Sequence, residues 1–354
     1  MGNFNDFYGK LTSGSGSRIK NKEHFSYYSK ATIDDYKKSI IKDLIRARIK
    51  LKNSKYVKVM DVGTGRQAIA FSEITLGKII HFDLSPTHIK NTVKYVKEKK
   101  IKNVKSVLAN VVTYNKFKKN YFDLVYLQGV IQHFSRPDLA MKKILASTKV
   151  NGYVWIYLYK SGSFYQFCSF LMRDFFRKKN THLSINKITK YKIFLEKKYP
   201  DKKNKFNIDK FVDDLFVPYA YLFRYEDVKK DFVNSGFKII SKKSCLNNGQ
   251  HYNHNDTYGA FIFSIKKIFV NNIFADSLKP RNSINQIKIN YKESYINLTV
   301  KLFNRFAKKI SKSSTFEQVD ALYNYFVLFD SLLKINDGQF KHKKLHTFFI
   351  KYNS

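Results

Sequence analysis

The sequence predicts an α/β fold with a mostly parallel sheet flanked by helices, and three features carry that prediction. From residue 57 onward, apolar runs of strand length alternate with segments of helical period, a pattern that requires crossover connections and hence parallel strands. The run VKVMDV passes directly into a glycine-spaced turn, Gly63-Thr64-Gly65. A second run, KIIHFDLS, carries Asp83 near its end, twenty residues after Gly63.

Taken in order, residues 1–17 are rich in Ser and Gly, and TIDDYKKSIIKDLIRARI then shows helical apolar spacing. Val57, Val59, Met60 and Val62 are apolar on both faces of a strand, as burial in a parallel sheet demands. Gly63 and Gly65 let the backbone turn tightly and approach a ligand with no Cβ in the way. Residues 68–76, 86–100 and 136–148 read as crossover helices, with strands in VKSVLANV and YFDLVYLQ between them. NGYVWIYLY reads as a fifth strand entered through an Asn-Gly turn. RYEDVKKDFVNSGFKII then supplies a helix and another strand, and the sheet pattern stops after Lys267. Residues 286–311 and 315–335 read as two further helices, the second opening with Ser314 and Glu317 at capping-box spacing.

The glycine turn alone fits two cofactors. Gly63-Thr64-Gly65-Arg66-Gln67-Ala68 is a permitted variant of the dinucleotide pattern, and an acid at the spacing of Asp83 accepts hydrogen bonds from ribose hydroxyls. Asp61 separates the two. Two residues before Gly63, its charge would repel an incoming pyrophosphate but would attract the ammonium group of an amino-acid moiety. That favours S-adenosylmethionine over NAD.

In VMDVGTG, IIHFDLSP, VKSVLANV, YFDLVYLQGVIQHFSRP, NGYVWIYLY and RYEDVKKDFVNSGFKII, the sequence resembles the class I S-adenosylmethionine-dependent methyltransferases. The resemblance covers residues 55–160 well and 217–266 more loosely. It implies a Rossmann-like, seven-stranded, mostly parallel sheet of order 3-2-1-4-5-7-6. It implies also that Asp61, Gly63, Thr64 and Gly65 hold the methionine end of the cofactor. Asp83 would bind the ribose hydroxyls and Leu84 would pack beside the adenine. Asn110 stands where the family commonly has Asp, and its amide can still bond an adenine edge. Gln128 falls at the mouth of the pocket. The family's third glycine is Gln67 here, a departure that bears on the loop's conformation. Singly, Asp61 also reads as a helix cap, Asp83 as a turn former and Asn110 as an ordinary loop residue.

This frame divides the chain into a helical leader over residues 1–50, a methyltransferase domain over 51–267 and a helical C-terminal extension over 268–354. The leader either leans over the pocket, with Tyr27 and Tyr28 facing the substrate side, or packs plainly against the sheet. Within the domain, a helical lid insertion is expected at about 162–217, too long for a structureless loop. Its Phe164, Phe167, Phe170, Leu171 and Phe175 either dock it or wall an apolar or planar substrate.

Composition narrows the class. Hydrophobic residues at 44% fit a folded protein, and two cysteines far apart, Cys168 and Cys245, give no disulfide framework, which suits a reducing cytoplasm. Neither a signal-peptide core, a myristoylation motif nor an apolar run of about 18 residues is present. A formal charge of +39 admits nucleic acid as a partner. Yet ten of the 66 basic residues are arginine, leaving 56 lysines spread along the whole chain beside abundant Asn, Ile, Tyr and Phe, as an AT-rich genome would produce. Nucleic acid is therefore not favoured, while peripheral contact with an anionic membrane stays open.

Methyl transfer is a displacement that rests on alignment, with a base needed for a poor nucleophile. His133, in the turn after the fourth strand, is the candidate base; its other reading is a loop hydrogen bond. His251, Tyr252 and His254 lack a carboxylate at metal-ligand spacing, so no metal site is assigned. The expected activity is methyl transfer from S-adenosylmethionine to a small-molecule or lipid-like acceptor. Three alternatives stand beside it: an RNA or protein methyltransferase, an NAD-dependent reductase, and a non-catalytic cofactor-binding module.

Overall fold

The computed structural model describes residues 28–51, 53–159, 217, 219–240 and 260–280. All of these except Val217 belong to one compact unit. The expected lid, the helices after residue 280, both cysteines, Tyr27 and the His251–His254 segment lie outside the described residues, apart from Val217.

Helix α1 (Lys30–Arg46) leads into β1 (Lys58–Val62), α2 (Arg66–Ser72), β2 (Lys78–Asp83), α3 (Pro86–Glu98), β3 (Val104–Leu108) and β4 (Phe122–Gln128). A 3-10 turn at Ile131–His133 precedes α4 (Pro137–Ser147) and β5 (Thr148–Tyr159). Then come α5 (Tyr225–Asn234), β6 (Phe237–Ile239), β7 (Ala260–Lys267) and a 3-10 turn at Asp276–Leu278. The strands form one seven-stranded sheet of order β3-β2-β1-β4-β5-β7-β6. Strands β1 to β5 pair in parallel, and β7 runs antiparallel between β5 and β6. After β1 the chain builds outward to β3 on one side and then returns to place β4 on the other. This reversal opens a crevice beyond the carboxyl ends of β1 and β4, where ligands bind in such sheets.

Val59, Met60, Leu124, Val125, Val154 and Ile156 are fully buried, as strands covered on both faces require. Tyr126 stacks on Trp155 at 4.4 Å between ring centroids, and its hydroxyl donates to Asp43 Oδ2 of α1 at 3.0 Å. Burial pushes the Asp43 carboxyl up to about 6 against the opposing effect of that hydrogen bond. Ser29 caps α1 by accepting from the Thr32 N–H at 3.1 Å.

Two boundaries differ from expectation. Helix α2 begins at Arg66 because Gly65, at φ +85°, supplies its N-cap, and it ends at Ser72. Asn151-Gly152 does not precede β5 but lies inside it. There Asn151 takes φ +65° and the register with β4 shifts, so the Asn-Gly pair forms an irregularity within the strand. The compact unit also continues past Lys267, since Ala275 and Leu278 are buried in the same core.

The end of β7 is anchored by a buried ammonium. Lys267 Nζ donates to Asn120 Oδ1 at 3.0 Å, Thr148 O at 2.8 Å and Leu145 O at 3.4 Å. Lys267→Met keeps the chain length but strips these acceptors of their donor in a site with little water. We expect it to cost about 1–3 kcal/mol of stability in urea unfolding, whereas Lys266→Met, at a less buried position, should fall within about 0.5 kcal/mol.

Candidate active site

The β1–α2 turn lies at the crevice. Gly63 and Gly65 adopt φ +138° and +85°, and a Cβ on Gly65 would collide with Thr92 Oγ1 and lie 2.9 Å from His81 Cε1. Only glycine fits so tight a passage. His81, fully buried on β2, brings Nε2 within 2.6 Å of Gly63 O and Nδ1 within 3.1 Å of Ser106 Oγ. A carbonyl can only accept, so Nε2 carries the proton and Nδ1 accepts from Ser106. Burial lowers the pKa of this imidazole and favours the neutral ring. Tyr28 donates its hydroxyl hydrogen to Thr64 O at 2.6 Å, and Arg66 Nε donates to Thr64 Oγ1 at 3.0 Å. Thr64 is thus clamped at both its carbonyl and its hydroxyl.

Asp61 lies near the end of β1 with its side chain buried, and its Oδ2 accepts from the Ala68 N–H at 3.2 Å, in the first turn of α2. Desolvation pushes its carboxyl up to about 7, partly offset by that bond, with Asp83 adding like charge. Asp83 accepts from the Ser85 N–H at 2.7 Å through Oδ1 and pairs with His88 Nδ1 at 2.7 Å through Oδ2. Both acids are therefore local structural elements as well as candidate ligand contacts. A carboxylate offers about four lone-pair sites, so two bonds leave Asp83 able to accept ribose hydroxyls. Leu84 follows it, half-buried. Asn110 is exposed after β3, where its Oδ1 accepts from the Val112 N–H at 3.0 Å and shapes the turn.

Across the crevice, Gln67 Nε2 donates to Gln128 Oε1 at 2.9 Å, joining the start of α2 to the end of β4. Beyond Gln128, the 3-10 turn buries Gln132 and His133. His133 Nδ1 lies 2.8 Å from Tyr219 O, so Nδ1 carries the proton and Nε2 the lone pair, with Gln132 Nε2 3.4 Å away. The ring of Tyr159 meets His133 edge-on at 5.4 Å. Among the described residues, the buried side-chain atoms lacking a hydrogen-bond partner are Gln67 Oε1, Gln132 Oε1 and Ser277 Oγ. Two of the three flank the carboxyl end of β4.

This donor set fits an S-adenosylmethionine-type ligand. A desolvated carboxylate calls for a cation and an orphaned amide oxygen for a hydrogen-bond donor, and an ammonium group is both. Residues 60–156 match a family model described as a methyltransferase domain. This stretch is thus a methyltransferase domain, built on the seven-stranded sheet.

No curated protein matches the chain. Among solved structures, the chain is similar to an S-adenosylmethionine-dependent methyltransferase from Aquifex aeolicus, at 17% identity and TM-score 0.30, over 35% of this chain and 64% of that one. It is similar also to phosphoethanolamine N-methyltransferase 2 of Haemonchus contortus, at 19% identity and TM-score 0.31, over 42% and 38%. PKMT2 of Rickettsia typhi aligns at 15% identity and TM-score 0.46, over 88% and 71%. The chain thus spans less than two thirds of the first two of these proteins.

For the methyltransferase domain, the structure brings Asp61, Gly63, Thr64, Gly65 and Gln128 together at one end of the sheet, with Asp83 and Leu84 at the end of the neighbouring β2. His88 and Thr92, outside the sequence motifs, join the site, as does His81, which lies within IIHFDLSP but has no role assigned there. His81 and Asp83 stand two apart on β2, a spacing that puts both on one face, and this is the sequence signal that points to the histidine. Among the described residues no group of three or more His, Cys, Asp or Glu could hold a metal, and no helix is long and apolar enough to cross a membrane.

The raised Asp61 carboxyl has a pH consequence. The folded protein keeps this proton to a higher pH than the unfolded chain does, so the group disfavours folding increasingly between about pH 4 and 7. A ligand ammonium needs the carboxylate, so binding below about pH 7 must expel the proton. Calorimetric affinity for S-adenosylhomocysteine should therefore rise by up to about tenfold per pH unit towards pH 7 and level off above it. The affinity of 5′-methylthioadenosine, which has no ammonium, should stay flat.

Proposed function

We propose that this chain transfers a methyl group from S-adenosylmethionine to a small-molecule or lipid-like acceptor that bears a hydroxyl or amine. What supports this acceptor chemistry most directly is the turn after β4. Gln132 Oε1 is buried and lacks a partner, so the missing group must be a donor, and an O–H or N–H on the acceptor supplies one. Beside it, the Tyr219 carbonyl holds His133 in the tautomer whose Nε2 carries the lone pair, with Gln132 Nε2 3.4 Å from that nitrogen. Tyr157, Tyr159 and Tyr219 add aromatic surface near the same turn, suited to an apolar or planar body.

When bound, S-adenosylmethionine supplies an electrophilic methyl group on a sulfonium sulfur. Asp61 would offer charge complementary to its ammonium, and Asp83 would hold its ribose hydroxyls. His133 Nε2 would take the proton of the acceptor's reacting O–H or N–H, and Gln132 Oε1 would orient the acceptor by accepting from a second donor on it. Loss of that methyl would leave the sulfur a neutral thioether, with the electron pair of the carbon–sulfur bond on it. His133 thus serves as general base, with Tyr219 O stabilising the imidazolium through Nδ1–H.

The test is transfer of labelled methyl from S-adenosylmethionine into metabolite and lipid extracts. His133→Asn should lower kcat by about 10²- to 10⁴-fold and leave the calorimetric affinity for S-adenosylhomocysteine unchanged. An unaltered kcat would restrict His133 to holding the loop. Label appearing in RNA or protein would replace the small-acceptor reading.

A further inference from the structure

Gln67 stands where the family's glycine pattern has its third glycine, and the structure shows what the larger residue does there. Its side chain is 7% exposed. One end of the amide is fixed, since Nε2 donates to Gln128 Oε1 at 2.9 Å. The other end, Oε1, is buried with no hydrogen-bond partner. The next residue, Ala68, donates its N–H to Asp61 Oδ2, so amide and carboxylate belong to the same first turn of α2.

A buried carbonyl oxygen without a donor is costly, and a native site that tolerates one calls for a group to complete it. A carbonyl oxygen can only accept, so a ligand there must bring an N–H or O–H. Asp83, on the neighbouring β2, is already placed for the ribose hydroxyls. The methionine end of the cofactor offers a carboxylate, which cannot donate, and an ammonium, which can. We propose that Gln67 is a cofactor-contacting residue whose Oε1 accepts from the ammonium of the methionine moiety, with Gln128 orienting the amide. Asp61 and Gln67 then share the cation, one by charge and one by a directed hydrogen bond. This inference rests on the reading of the pocket as an S-adenosylmethionine site.

Three ligands separate the possibilities: S-adenosylhomocysteine, decarboxylated S-adenosylmethionine, which keeps the amine, and 5′-methylthioadenosine, which lacks both groups. Their affinities are measured by calorimetry on the full chain and on Gln67→Met and Gln67→Leu. Using both variants lets one without a cooperative unfolding transition be set aside. Loss of a hydrogen bond to a charged group predicts affinities about 10- to 100-fold weaker for the first two ligands and unchanged for 5′-methylthioadenosine. An equal loss on all three ligands would overturn the proposal, because the side chain would then merely shape the pocket. A loss on S-adenosylhomocysteine alone would also overturn it, by moving the contact to the carboxylate through a turned amide. Unchanged affinities throughout would do the same. If none of the three binds the unmodified chain, the cofactor reading itself fails, a result distinct from any of these.

Discussion

His81 sits buried in β2, and its Nε2–H bonds the carbonyl of Gly63 across 2.6 Å. The site depends on that contact. A turn with two positive-φ glycines has a large choice of conformations, and freezing it costs backbone entropy. The imidazole limits the choice by holding one peptide group, while Tyr28 and Arg66 hold the next residue. Thr92 and the His81 ring leave no room for a Cβ at Gly65, so the same packing that fixes the turn also excludes every residue but glycine there. The Gly63 carbonyl fixes the tautomer, and Ser106 on β3 donates to Nδ1, which links the turn to the third strand through a single side chain.

Much of this architecture is legible in the order of the residues. The strand–helix alternation and the apolar runs mark out the sheet, and the parallel pairing of β1 to β5 follows from the crossover lengths. Asp61 and Asp83 are legible because strand ends and glycine spacing fix their positions along the backbone. Thr92 and His88 are not, and His81 is marked only by its same-face spacing from Asp83, since their roles come from contacts between elements whose register only the folded sheet defines. The Asn151-Gly152 pair shows the limit of local turn chemistry. Asn151 takes the positive φ that such a pair favours, but pairing with the neighbouring strand makes it an irregularity within β5 instead of its entry.

For each acid, a structural role and a ligand role prove compatible. Asp61 caps α2 through one oxygen and stays strongly desolvated, so it is poised for a cation. Asp83 shapes its own turn and still has acceptor capacity to spare. The Gln67 departure follows the same logic. Where a glycine would offer only backbone, this chain presents an amide braced against β4, and its free oxygen turns a departure from the motif into a contact that the ligand can complete. Local consistency and ligand chemistry therefore point to one pocket.

The crevice at β1 and β4 is expected to bind S-adenosylmethionine and not a dinucleotide. Calorimetric titration of the full chain with S-adenosylhomocysteine and with NADH, repeated on Asp83→Ala, tests it most directly. The account predicts binding of S-adenosylhomocysteine alone, weakened by about 10- to 100-fold when the ribose acceptor is removed. Binding of NADH in its place, or of neither ligand to a folded sample, would contradict it.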